Sequence, residues 1–426
     1  MSKKVIIGLS GGVDSAVAAA RLLEQRYDVH AFFMKLEESD CDGEDNPTAQ
    51  ALSDARKVAA YLGIPPEKFH VWELVDRFER GVITPFVEAY ASGLTPNPCV
   101  RCNRVFKFGY VVERALREGF DYVATGHYAR LDHIGDGFRL RRGASLEKDQ
   151  SYVLAGARAE MLAHAIFPLF DVRDKAETRA EAQRRGLPVA HKRDSFDICF
   201  IHDGDTRGFL RGKLGGAQPG AIVDENGAVV GQHLGAFLYT VGQRRGLHLP
   251  RPHEDGQPRY VTGVDVNRNV VTVGPLETLD VHQIRCGRIN WLVEPGFGRQ
   301  LLVGSRKEIG LASAQRDRET ERGTRCENKI APRGGTLPPS PLVHAPCKPT
   351  AMAPHETAET ETPLTVQFRA HSHPEPATFE IDDQDRLTVI FPETATIRGV
   401  APGQSLVIYH GNWVIAQAGI TGTQSR

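Results

Sequence analysis

The chain has 426 residues, more than one hydrophobic core usually organises, so two or three domains are expected. With 41% apolar and 25% charged residues and a formal net charge of −1, the composition excludes a disordered or membrane-embedded chain and one that coats nucleic acid indiscriminately, while leaving room for local basic patches. Seven cysteines, at 41, 99, 102, 199, 286, 326 and 347, are too few and too scattered for a secreted disulfide scaffold, which leaves free thiols, metal ligation or catalysis.

The N-terminus runs straight into a strand-like segment with no room for a signal or transit peptide, so a cytoplasmic location with no membrane contact is expected. Short apolar runs at VIIGL (5–9), HAFFM (30–34), HVWEL (70–74) and YVATG (122–126) predict strands. Ala51, Ala55, Val58, Ala59 and Leu62 carry helical spacing, and further helices fit 105–116 and 175–185. This alternation predicts an α/β domain over 1–205, a doubly wound parallel sheet with ligands at the carboxyl ends of its strands. Gly-punctuated segments follow, with Asn226-Gly227 as a hairpin turn, and predict a small β-rich domain over 206–278. VHQIRCGRINWLV, LTVIF and QSLVIYHGNWVIA predict a C-terminal β-barrel over 279–426. An aperiodic stretch at about 299–362, with eight prolines from Pro332 to Pro363, is expected to be a flexible insertion into that barrel.

The sharpest motif is SGGVDS, Ser10 to Ser15, placed between the first strand and a helix beginning near Ser15. Paired glycines permit positive φ and close backbone approach, so successive N–H groups and a helix N-terminus can face an anion. Ser10 and Ser15 add hydroxyls, and Asp14 suits a Mg²⁺ ion or the fixing of loop amides. A Walker loop would need a lysine that is absent. The loop resembles that of the PP-loop ATP pyrophosphatase superfamily (adenine nucleotide alpha hydrolase-like), which transfers adenylyl groups and releases pyrophosphate.

TPNPCVRCNR (95–104) places Cys99 and Cys102 three apart behind two prolines, a spacing open to half a metal site, a redox pair or a catalytic thiol with a neighbour. The basic residues Arg101, Arg104 and Lys107 read either as a solvated helix face or as phosphate contacts. Cys199 lies in DSFDICFI, where it is either a core cysteine or a reactive one.

Taken with ATGHYAR (124–130), KDQSY (148–152) and YTVGQRRGL (239–247), these segments resemble the bacterial tRNA-specific 2-thiouridylases over nearly the whole chain except the insertion. The resemblance implies ATP-dependent replacement of the C2 oxygen of a wobble uridine by sulfur, with tRNA and a persulfide donor, either a cysteine desulfurase or a sulfur-relay protein, as partners. It implies that Cys199 carries the persulfide and Cys102 is the nucleophile. It further implies ATP contacts at Gly8, Leu9, Ser10, Gly11, Gly12, Val13, Asp14, Ser15, Met34 and Gly126. Asn97, Pro98 and Cys99 match the target-base segment, and His127, Lys148, Asp149, Gln150, Arg369 and Gln404 match tRNA contacts. Some family members carry aspartate where this chain has Cys99. Cys99, Cys102 and Cys199 could therefore together ligate three corners of a [4Fe-4S] cluster, while zinc lacks a fourth protein ligand. An amidating PP-loop ligase and a non-enzymatic tRNA- or sulfur-binding protein are the alternatives from other classes.

Overall fold

The computed structural model describes residues 2–38, 47–134, 137–193, 198–216, 218–249, 256–304, 363–370 and 372–425. Asp194 to Asp197, just ahead of Cys199, and residues 305–362 of the expected insertion lie outside them. At the start of that expected insertion, 299–304 are helical.

Five strands form the N-terminal sheet: β1 (Lys4–Gly8), β2 (Asp28–Lys35), β3 (Phe69–Glu73), β4 (Tyr122–Ala124) and, after a hairpin of β5 (Ala129–Ile134) and β6 (Gly137–Arg142), β7 (Ala165–Ile166). Their order is β3-β2-β1-β4-β7, and all four pairings are parallel. The chain winds outward from β1 to β3, then crosses back to β4 and β7. That reversal leaves a crevice beyond the carboxyl ends of β1 and β4, where such sheets bind ligands.

The apolar run of β1 suits burial on both faces. Val5 and Ile7 join one core cluster, which includes Val13, Ala16 and Val17 of α1 (Val13–Glu24) and Ala55 and Val58 of α2 (Pro47–Tyr61). Ile6 joins the other, with Phe78, Phe86, Phe106 and Val112. Each side chain of a strand thus enters the core opposite its neighbours', which fixes the register.

Hairpin β5–β6 was not expected from the sequence. It leaves the parallel sheet and joins the C-terminal β-sheet, with Arg141 paired to Trp413. That sheet is ten-stranded and antiparallel, and its apolar interior includes Ile284, Phe379, Val389 and Ile415. Between the two lies a four-stranded sheet. Its strands Gly220–Val223 and Val229–His233 turn through Asn226 and Gly227, with Gly227 at φ +82°, as the Asn-Gly signal predicted. FLYTVGQRRGL is not a strand: a short 3-10 turn over Ala236–Leu238 precedes irregular backbone. No helix among the described residues is long and apolar enough to cross a membrane.

Candidate active site

The SGGVDS loop closes directly over the end of β1. Leu9 N–H extends the sheet by donating to Phe32 O (2.8 Å), after which the backbone turns sharply. Gly11 has φ +71°, and a Cβ there would lie 2.4 Å from the Ala51 carbonyl oxygen of α2, so the turn requires glycine twice over. Helix α1 starts at Val13 with Gly12 as its N-cap and no side chain capping it, leaving backbone donors facing the crevice. The Ser15 hydroxyl is spent inside the loop: it accepts from Ser10 N–H (3.3 Å) and donates to Gly12 O (3.1 Å). The Ser10 hydroxyl lies 3.2 Å from it.

Asp14 is held from two sides. Tyr128 Oη donates to its Oδ1 at 2.6 Å, and Lys175 Nζ forms an ion pair with its Oδ2. Tyr128 in turn lies 2.8 Å from Thr178 Oγ1, on the same helix as Lys175. Gly126 completes the closure, since a Cβ there would lie 3.1–3.2 Å from Asp14. Lys175 and Tyr128 were not expected as site residues. The only sequence signal was a lysine next to the Asp174 N-cap, which accepts from Glu177 N–H at 2.8 Å. Each Asp14 oxygen has one such partner and keeps lone pairs for a further ligand, so the carboxylate fits an ion carried by phosphates as well as the fixing of the loop.

The thiol region is built on the helix-rich side of the same sheet. Asn97 Oδ1 accepts from Cys99 N–H (3.0 Å) and Val100 N–H (3.1 Å), capping a helical turn over Pro98–Arg101. The chain continues as a π-helix over Cys102–Val111. Gly109 fits this wide turn because a Cβ there would sit 2.9 Å from Arg104 O, and Phe108 departs from helical φ/ψ. Such π segments cluster at functional sites.

Cys102 is buried, Cys99 half-buried and Cys199 exposed. Burial pushes the Cys102 thiol up to about 12, Lys107 opposes the shift, and Cys199 and Cys99 add to it. Although the residue as a whole is exposed, protein packed around its sulfur raises the Cys199 thiol too, with Lys107 again opposing. The three thiols and Lys107 therefore share one electrostatic neighbourhood. Among the described residues, no three His, Cys, Asp or Glu side chains converge as a metal ion would require. The described residues thus hold no donor set that fits an iron–sulfur cluster.

His127 links the two halves. It follows Gly126 at the end of β4, is buried between Phe108 and Phe167, and lies 2.7 Å from Thr125 Oγ1. Burial, with Lys107 nearby, holds its imidazole well below the ordinary histidine range. A neutral ring meets RNA by hydrogen bonding and not by charge.

Other residues expected at the RNA have partners within the protein. Asp149 is buried and paired with Arg142 (3.0 Å), and it accepts from Gly143 N–H, Ser151 N–H and Ser151 Oγ. Gln150 Oε1 accepts from Tyr128 N–H (2.9 Å). Asp149 lies inside because buried Arg142, on β6, needs a counter-charge, while Gln150 braces the backbone at Tyr128. Lys148 stays half-buried beside exposed Glu147 (3.5 Å), where RNA can reach it. Arg369 donates to Gly399 O, Gln404 Oε1 accepts from Ala401 N–H (3.2 Å), and Arg101 Nε donates to Gly81 O (2.7 Å). Met34 is half-buried near the carboxyl end of β2, opposite Trp72.

The family description "tRNA methyl transferase HUP domain" matches residues 3–203, "tRNA methyl transferase PRC-barrel domain" matches 207–275, and "Aminomethyltransferase beta-barrel domain" matches 348–420. The tRNA-specific 2-thiouridylase MnmA of Streptomyces griseus is 40% identical over 99% of this chain and 96% of its own length. The chain belongs to the tRNA-specific 2-thiouridylase family. Another 2-thiouridylase, from Beutenbergia cavernae, is 41% identical over 99% of this chain and 95% of its own, and one from Salinispora tropica is 50% identical over 68% and 80%. A solved NMN synthetase from Francisella tularensis, at TM-score 0.30 and 16% identity over 50% of this chain and 77% of its own, is too distant to bear on function.

Proposed function

We propose that this chain catalyses ATP-dependent 2-thiolation of the wobble uridine of tRNA. One arrangement carries the reading: an anion-ready loop at the end of β1 adjoins, through Gly126, His127 and Lys107, a neighbourhood where Lys107 acts on both Cys102 and Cys199 and Cys199 acts on Cys102. ATP occupies the crevice with its phosphates against Gly11, Gly12 and the start of α1, and Mg²⁺ travels with the phosphates. Residues 1–205 perform the chemistry, and the β domains over 206–278 and 279–426 hold the tRNA.

Uracil C2 is a poor electrophile while its oxygen leaves as oxide. Attack of that oxygen on the α-phosphorus of ATP expels pyrophosphate and makes it part of a good leaving group. The terminal sulfur of a persulfide on exposed Cys199, delivered by a donor protein, then attacks C2, and AMP departs with the former oxygen. Thiolate attack by Cys102 on Cys199 Sγ releases the thiolated base and leaves a Cys102–Cys199 disulfide, which two external thiols reduce. Exposure suits Cys199 to a donor, and burial suits Cys102 to a step away from solvent. The test is pyrophosphate release from ATP: it requires tRNA if the reading holds, and release driven instead by a small amine acceptor would point to an amidating ligase.

A further inference from the structure

We infer that Lys107 is the positioning residue that steadies sulfur anions in the thiol neighbourhood, a role whose purpose rests on the thiolation reading but whose test does not. In an α-helix, five residues rotate a side chain about 140° away from the first. In the π-helix over Cys102–Val111, i→i+5 hydrogen bonding brings residue i+5 back toward residue i, so Lys107 falls on the same face of the helix as Cys102. Its side chain parts from the neighbouring arginines: Arg101 bonds the Gly81 carbonyl and Arg104 is exposed, while Lys107 is half-buried. No carboxylate among the described residues forms an ion pair with Lys107, and the groups that feel its charge are Cys102, Cys199, Cys99 and His127.

The charged and titratable groups around each sulfur are few. Lys107, Cys99 and Cys199 act on the charge of Cys102, and Lys107 and Glu37 act on that of Cys199. Glu37 is itself bonded to His202, at 2.8 Å from one oxygen and 3.0 Å from the other. With His127 held neutral, Lys107 is the cation common to both sulfurs. A compact ammonium suits a sulfur anion that changes place during transfer, since it needs no fixed bidentate geometry. A phosphate contact would call for the exposed side of the helix, where Arg104 lies.

The test is the pH profile of Cys102 alkylation by iodoacetamide, without ATP or tRNA. Trypsin cleaves after Arg101 and so separates Cys102 from Cys99 for mass spectrometry. Lys107→Met and Lys107→Gln should move the midpoint upward and slow alkylation at pH 8 at least about tenfold, one unit of midpoint being tenfold in thiolate. Lys107→Arg should keep the parent profile. Superimposable parent and Met or Gln profiles would overturn the assignment. Should the neutral variants fail to fold, the parent decides: anionic iodoacetate should lose its advantage over iodoacetamide at Cys102 as salt rises, and a salt-independent ratio would overturn it. Loss of thiolation with an unchanged alkylation profile would separate this proposal's failure from that of the function.

Discussion

Thr95 N–H donates to Pro402 O at 2.8 Å, tying the segment ahead of Cys99 and Cys102 to a turn of the C-terminal sheet. Gly403, next in that turn, has φ +92°, and a Cβ there would lie 2.9 Å from Thr95 N. On its other side, Gly93 packs against Val266, with its Cβ position 3.2 Å from Val266 Cγ2. The loop that delivers Asn97, Cys99 and Cys102 is therefore clamped by both accessory sheets.

Gly403→Ala should displace that clamp, with strain costing about 1–3 kcal/mol. Expected outcomes are a lower unfolding midpoint and a turnover number reduced more than tRNA affinity is. Steady-state kinetics beside filter binding checks this. Affinity lost at unchanged turnover would assign the turn to RNA binding alone.

Lys175→Met removes the ion pair that fixes Asp14, and Tyr128→Phe removes one hydrogen bond. Hydrogen bonds to charged groups contribute about 1.5–3 kcal/mol, so each change should cost about 10- to 100-fold in kcat/KM for ATP, the lysine more. Pyrophosphate release under tRNA saturation measures it.

Asp149→Ala leaves Arg142 buried without a counter-charge and three donors without their acceptor. A loss of about 3–5 kcal/mol in unfolding free energy is expected by urea titration. Lys148→Ala should instead leave stability unchanged and weaken tRNA binding with a shallower salt dependence.

Cys102 and Cys286 are both buried and both pushed up to about 12 by that burial. Each folded thiol keeps its proton where the unfolded one, near 9, has lost it. The stability this confers is fully present below pH 9 and is lost as pH rises toward 12, at about 1.4 kcal/mol per pH unit per thiol. Cys286→Ala should flatten the alkaline fall of unfolding free energy by one proton's slope. In native protein near pH 8, alkylation should reach exposed Cys199 before buried Cys102 and Cys286.

The phosphate loop was legible because its chemistry is local: two glycines between a strand and a helix dictate the turn whatever packs around them. The sheet was legible for the same reason, through VIIGL, HAFFM, HVWEL and YVATG. Lys107 was not, because α-helical spacing turns it away from Cys102 and nothing in NRVFKFG announces the wider π turn except Gly109. Asp149 reads as exposed in the polar string EKDQS, yet the partner that draws it inside, Arg142, lies on a hairpin whose own neighbour is Trp413, far along the chain. Lys175 approaches Asp14 only through the packing of its helix against α1.

The most direct measurement is nucleoside mass spectrometry of unmodified tRNA incubated with the purified protein, ATP and a persulfide donor. The account predicts 2-thiouridine at the wobble position with one AMP per sulfur, and its loss in both Cys102→Ser and Cys199→Ser. AMP formation without thiolated base, or full thiolation by either serine variant, would contradict it.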